Sequence, residues 1–141
     1  VNTGFETTEL LAATLLDLEW NSLTSLDGVE VNKFEDDYLE SIGLIDEILP
    51  RYKSTYFAHI FTGEGYAAGY YVYTWAEVLD KDAFNAFEES GDIFNPELAS
   101  KFKKYVLTEC GNDDPMKQYI KFRGQAPSNI PYLKARGLLN K

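Results

Sequence analysis

The apolar positions of residues 3–20 recur every three or four residues, which is the period of an amphipathic α-helix. The pattern predicts a helix that ends near Trp20, and Thr3 and Glu6 have the spacing of a capping box at its start. The predicted apolar stripe of this helix consists of Leu11, Leu15 and Leu18. The predicted solvated side consists of Glu9, Asp17 and Glu19.

The rest of the chain also has the pattern of helix after helix. The predicted ranges are 33–42, 45–49, 51–61 (where a strand is the alternative), 66–91, 95–111, 114–124 and 131–136. Gly43 is a C′ glycine that ends the first of these. Asn95-Pro96 and Asp114-Pro115 predict helix starts, because Asn or Asp caps a helix and proline suits its first turn. The predicted fold class is all-α, as one compact multi-helix unit over residues 1–141.

One stretch joins a glycine-rich loop to an apolar, aromatic helix. Its sequence is Gly63-Glu64-Gly65-Tyr66-Ala67-Ala68-Gly69-Tyr70-Tyr71-Val72-Tyr73-Thr74-Trp75-Ala76-Glu77-Val78-Leu79. On a helix, Tyr66, Tyr70 and Tyr73 lie at about 0°, 40° and −20°, so the three phenols share one face. They are either core residues with satisfied hydroxyls or donors directed into a cleft. Periodicity favours the core, whereas Gly63, Gly65 and Gly69 favour a close approach of backbone or ligand.

Composition and charge exclude several kinds of partner. The chain has 45% hydrophobic residues and a net charge of −10, which argues against nucleic acid or an anionic membrane as a partner. No apolar run reaches the roughly 20 residues of a membrane span. Cys110 is the single cysteine, so a disulfide framework is excluded, and a buried structural thiol is the preferred interpretation.

The chain lacks the residues of a zinc site. It contains no His-Glu-x-x-His motif, which would place two imidazoles on one helix face, and His59 is its one histidine. The acidic run 35–37 lies along a helix and does not converge on one ion. We therefore predict that this chain binds no metal and is not a complete enzyme by itself.

Several runs of residues together resemble a known family over nearly the whole chain. They are Phe5-Glu6-Thr7-Thr8-Glu9-Leu10-Leu11-Ala12-Ala13, Tyr56-Phe57-Ala58-His59-Ile60-Phe61, Gly65-Tyr66-Ala67-Ala68-Gly69-Tyr70-Tyr71-x-Tyr73-x-Trp75, Glu77-Val78-Leu79-x-x-Asp82-Ala83-Phe84, Asp114-Pro115-Met116, Phe122-Arg123-Gly124 and Arg136-Gly137-Leu138. These residues resemble the C-terminal region of the thimet oligopeptidase family of zinc metallopeptidases. Within that family, the resemblance is to bacterial peptidyl-dipeptidases (dipeptidyl carboxypeptidases) and oligopeptidase A.

The resemblance implies that the zinc-binding residues lie upstream and that the matched helices form the opposite wall of a cleft. Zinc is therefore the cofactor expected of a full-length parent. Peptide hydrolysis leaves a tetrahedral oxyanion that needs hydrogen-bond donors. The resemblance implies that Tyr66 and Tyr73 are the catalytic donors.

The same resemblance assigns substrate-binding roles to four further residues. Tyr70 is implied to contact the substrate, and His59 to donate a hydrogen bond to bound peptide. Gly63 and Gly65 are implied to let the loop bend around different sequences. From the residues alone, His59 reads instead as a satisfied histidine at a helix end.

Three hypotheses therefore compete. The leading one is a C-terminal fragment of a zinc peptidyl-dipeptidase or oligopeptidase, whose partners are short peptides and the remainder of the parent; the absence of an initial methionine agrees with it. The second is a helical module that binds peptides without chemistry, and the third is a structural domain with buried tyrosines. The expected compartment is the cytoplasm, with the periplasm or export as the alternative.

Overall fold

The computed structural model describes residues 2–109 and 111–139, and within them all regular structure is helical. The α-helices are α1 (Thr3–Trp20), α2 (Val31–Ser41), α3 (Ala58–Phe61), α4 (Val72–Glu89), α5 (Pro96–Phe102), α6 (Pro115–Arg123) and α7 (Ile130–Ala135). The all-α prediction is confirmed. Two compact units make up the chain, Val1–Thr74 and Trp75–Lys141. The prediction for Cys110 lies outside the described residues.

Helix α1 buries a different face from the predicted one. Leu11, Leu15 and Leu18 are 39%, 39% and 41% exposed, whereas Asp17 is completely buried. The capping box is also absent, because the helix begins at Thr3 itself and its N-cap residue makes no side-chain cap hydrogen bond. The predicted faces of α1 are therefore wrong, because the carboxylate of Asp17 finds hydrogen-bond donors inside the first unit.

Local capping signals are confirmed at the end of α2. Gly43 has a φ of +74° and its N–H donates to the carbonyl oxygen of Glu40 at 2.9 Å. The adjacent N–H of Leu44 donates to the carbonyl of Leu39 at 3.1 Å, which completes a Schellman motif. The predicted helix over 45–49 is wrong, because this piece before Pro50 forms only a turn and is too short to nucleate a helix.

The first unit has a small aromatic core and a buried polar network. The core cluster consists of Leu10, Ala13, Phe57, Ile60 and Tyr70. Beside it, the carboxylate of Glu35 accepts from the N–H and the hydroxyl of Ser54, at 2.6 and 2.7 Å. The indole N–H of Trp20 donates to the same hydroxyl at 2.7 Å. These bonds join α1, α2 and the 3₁₀ turn Ser54–Tyr56, so residues 51–61 form turns and the short helix α3 and no strand.

The second unit follows its predicted caps closely. Asn95 caps α5 by accepting from the backbone N–H groups of Glu97 and Leu98, and Asp114 caps α6 by accepting from that of Lys117. The continuation of α5 differs from the prediction, because residues Lys103–Thr108 adopt π-helical geometry. The core of the unit consists of Ala86, Tyr119 and Phe122, with partly buried apolar residues of α4, α5 and the π-helical segment around it.

Candidate functional site

The glycine–tyrosine stretch does not form the predicted helix from its first tyrosine. Tyr66 ends a 3₁₀ turn, Glu64–Tyr66, and Ala68 has a φ of +52°, which interrupts a right-handed helix. Helix α4 begins only at Val72. Of the three phenols that periodicity placed on one helix face, only Tyr73 therefore lies on the helix.

The fold nevertheless brings the three phenols together around His59, which lies on α3. The centroid of the imidazole ring lies 5.2 Å from that of Tyr66, 5.6 Å from that of Tyr70 and 6.0 Å from that of Tyr73. The rings of Tyr70 and Tyr73 are 5.1 Å apart. We call these four residues the tyrosine–histidine cluster. The tertiary fold, and not a single helix face, therefore brings the predicted residues together.

Two of the three tyrosines of the cluster are exposed. Tyr66 is 53% exposed and Tyr73 48% exposed, and His59 is also exposed. A phenol is a neutral donor on a rigid arm. The exposure of Tyr66 and Tyr73 distinguishes them from the third phenol of the cluster, Tyr70, which is buried.

Tyr70 occupies a different environment in the same cluster. It is only 6% exposed, and its ring meets that of Phe57 edge-on at 5.0 Å. Burial raises the pKa of the Tyr70 hydroxyl, while a hydrogen bond from Arg51 acts in the opposite direction. Tyr70 therefore anchors the cluster to the core of the first unit, and its contact with substrate stays a prediction.

The backbone conformation of the loop does not require glycine at positions 63 and 65. Gly63 has a φ of 172°, which is extended backbone open to any residue, and a Cβ at Gly63 or Gly65 would meet nothing within 4 Å. At Gly69, by contrast, a Cβ would lie 3.2 Å from the carbonyl oxygen of Tyr66. The roles of Gly63 and Gly65 in substrate binding stay predictions.

Asp17 is a residue of this site that the sequence pattern assigned to solvent. Its carboxylate accepts from the backbone N–H of Ala68 at 3.1 Å and from that of Tyr70 at 2.9 Å. A signal for its burial was present in α1. Asp17 follows the buried Ala13 by four residues and precedes the buried Trp20 by three, so all three share one helix face.

Comparison with known proteins identifies the family. Residues 1–138 match peptidase family M3. This chain belongs to that family. It is 40% identical to the dipeptidyl carboxypeptidase of Escherichia coli over 139 residues, a match that covers 97% of this chain and 20% of that protein. It is 49% identical to oligopeptidase A of Haemophilus influenzae over 84 residues, which covers 60% of this chain and 12% of that protein.

The match extends to eukaryotes and confirms the resemblance found in the sequence. A probable cytosolic oligopeptidase A of Arabidopsis thaliana is 50% identical over 86 residues, covering 59% of this chain and 12% of that protein. The chain thus spans about one fifth or less of the length of the curated relatives it matches. The bulk of an M3 peptidase is therefore not represented in these residues.

The described residues do not fit the zinc ion that the resemblance implies. Among residues 2–109 and 111–139, no group of three His, Cys, Asp or Glu side chains is arranged to hold a metal ion. The one histidine, His59, contacts the rings of three tyrosines. A separate search of the described residues finds no helix that is long and apolar enough to cross a membrane.

Proposed function

We propose that this chain is the C-terminal part of the catalytic domain of a zinc-dependent M3 peptidase that hydrolyses short peptides. In this proposal the zinc ligands lie in the remainder of the parent, and this chain supplies hydrogen-bond donors to the substrate. One observation carries the proposal: two exposed tyrosines, Tyr66 and Tyr73, place their rings 5.2 and 6.0 Å from that of an exposed histidine, His59, in a chain that matches family M3 over residues 1–138.

The proposed chemistry uses Tyr73 and Tyr66 as donors to the oxyanion. Attack of water on a peptide carbonyl places negative charge on its oxygen, and preorganised donors stabilise that charge more than they stabilise the neutral substrate. A phenol donates without first losing or gaining a proton near neutral pH, because its ordinary pKa is about 10. His59, at the centre of the cluster, is proposed to donate to a carbonyl of the bound peptide.

The relatives' names suggest the class of substrate. One is named for the release of dipeptides from carboxyl termini, and others are named as oligopeptidases. We propose short peptides as substrates, with removal of C-terminal dipeptides as the reaction. The proposed compartment is the cytoplasm, in keeping with the word cytosolic in the name of one plant relative.

The role of Tyr73 is tested by Tyr73→Phe in the full-length parent, with Tyr71→Phe as the matched control. Tyr71 is 50% exposed and adjoins the cluster in sequence without joining its ring contacts. Loss of one oxyanion donor predicts a fall in kcat of about 10²- to 10³-fold with KM nearly unchanged. Equal losses in kcat and in affinity, or the same loss in Tyr71→Phe, would remove the role from Tyr73.

The parent assignment is tested by measuring metal content and peptidase activity for the parent and for this chain side by side. Stoichiometric zinc and dipeptide release in the parent, with neither in the isolated chain, is the expected result. A parent that is metal-free and inert yet binds peptides would contradict the proposal and favour a peptide-binding module instead.

A further inference from the structure

Asp17 ties the segment between Tyr66 and Tyr73 to helix α1. Its side chain is completely buried, and both carboxylate oxygens are used. Oδ1 accepts from the N–H of Ala68 at 3.1 Å and from the side-chain amide of Asn21 at 2.9 Å. Oδ2 accepts from the N–H of Tyr70 at 2.9 Å. The carboxylate of Asp17 therefore accepts hydrogen bonds from two backbone N–H groups of the loop, those of residues 68 and 70.

Residues 66–73, which include these two N–H groups, form a run of tight turns. The N–H of Gly69 donates back to the carbonyl of Tyr66 at 3.3 Å, and that of Val72 donates to the carbonyl of Gly69 at 3.1 Å. The N–H of Tyr73 completes the run with a 3.4 Å bond to the carbonyl of Tyr70. Successive turns share residues, so the backbone position of residues 68–70 affects the turns that contain Tyr66 and Tyr73.

Ala68 has a backbone conformation that contacts from outside the segment must stabilise. Its φ of +52° is in the left-handed region, which an alanine side chain disfavours. Such a conformation persists only where surrounding contacts determine it. The hydrogen bond from the N–H of Ala68 to the buried carboxylate of Asp17 is such a contact.

We infer that Asp17 is a positioning residue that sets the directions of Tyr66 and Tyr73, an inference that rests on the proposed function of these two tyrosines. Asp17 touches no substrate, because its side chain is completely buried. It acts through the backbone of residues 68–70, from which Tyr66 is two residues upstream and Tyr73 three residues downstream. Donors to an oxyanion must be held at a fixed distance and direction, so a displaced loop lowers the rate while leaving much of substrate binding intact.

The experiment compares Asp17→Asn with Glu35→Gln in the full-length parent. Asparagine has the shape of aspartate, but its NH2 group cannot accept from a backbone N–H, whereas its oxygen still can, so one of the two loop bonds is lost. Glu35 is the matched control: it is also a buried carboxylate of the first unit that accepts from a backbone N–H, but the N–H belongs to Ser54 rather than to the loop. Asn21→Ala is a milder probe, because it removes one donor and leaves Asp17 in place.

Two readouts are taken on each variant. Hydrogen exchange of a peptide spanning residues 66–72 is expected to accelerate at least about tenfold in Asp17→Asn and to stay within about threefold of wild type in Glu35→Gln. The kcat for a short peptide is expected to fall at least about tenfold in Asp17→Asn with KM within about threefold, and to change less in the control. Asn21→Ala is expected to change both quantities in the same direction by a smaller factor.

Each outcome decides the inference. Unchanged exchange in residues 66–72 would overturn the tie between Asp17 and the loop. Faster exchange with a kcat no lower than that of Glu35→Gln would overturn the positioning role. If Asp17→Asn does not fold, unchanged exchange and unchanged kcat in Asn21→Ala overturn the inference. A parent without peptidase activity would refute the proposed function, whereas the exchange measurement would still decide whether Asp17 holds the loop.

Discussion

Arg123→Ala is expected to destabilise the second unit strongly, because it leaves a buried carboxylate without its cation. Asp82 is 1% exposed, and its Oδ2 accepts from Arg123 Nε at 3.2 Å and from the hydroxyl of Tyr119 at 2.7 Å. Its Oδ1 is buried without a hydrogen-bond partner among the described residues. Removal of the guanidinium leaves one neutral donor to a buried charge, and breaking a buried pair in this way costs about 3–5 kcal/mol.

Arg123 also pairs with Glu89, but this second pair contributes less. Its two terminal nitrogens lie 2.9 and 3.1 Å from the carboxylate oxygens of Glu89, a bidentate geometry. The side chain of Glu89 is 55% exposed, so the pair is screened by water and contributes at most about 1 kcal/mol. The expected loss in the free energy of unfolding therefore comes mainly from Asp82.

Equilibrium urea unfolding followed by fluorescence measures the effect, with Lys101→Ala as the matched control. Lys101 is a cation of the same unit, paired at 3.1 Å with the exposed Glu97, and its loss is expected to cost about 0.3–0.5 kcal/mol. If Arg123→Ala costs no more than Lys101→Ala, the explanation by an unpaired buried charge is refuted.

A double variant separates charge from packing. Asp82→Leu combined with Arg123→Met replaces the ion pair with apolar side chains, and such replacements are often neutral or stabilising. We therefore expect the double variant to regain most of the stability lost in Arg123→Ala. A double variant as unstable as Arg123→Ala would show that lost packing, rather than an uncompensated charge, causes the effect.

Two further predictions follow from burial and charge. Leu16→Ala is expected to cost about 2–5 kcal/mol and Leu15→Ala less than about 1 kcal/mol, because Leu16 is completely buried and Leu15 is 39% exposed; comparable losses in urea unfolding would contradict the buried face of α1. The hydrogen bond from Arg123 lowers the pKa of Glu89 below its ordinary value of 4.5, so the unfolded chain binds more protons around that pH. The stabilisation by Glu89 is therefore present above pH 4.5 and lost as the pH falls further, and Glu89→Gln is expected to flatten the fall of Tm between pH 6 and 3; an identical slope in the variant would contradict this assignment.

The helix boundaries that could be read from the sequence are those with a local cause. Asn95 and Asp114 cap their helices with bonds to N–H groups two or three residues away, and Gly43 ends α2 through bonds within one turn. In each case the residues that interact are neighbours in sequence. The start of α4 was misplaced because the preceding turns depend on bonds from Ala68 and Tyr70 to a distant side chain.

The sequence by itself determined the all-α fold class, the caps of α5 and α6 and the C′ glycine of α2, and its family resemblance pointed to the residues of the tyrosine–histidine cluster. Only the tertiary structure decided which face of α1 is buried and how the cluster is assembled. Periodicity counts Asp17 as polar and assigns it to water, whereas a buried carboxylate is stable once donors satisfy it. Its loop donors lie 51 and 53 residues further along the chain, and no local pattern encodes a contact between groups so far apart in sequence.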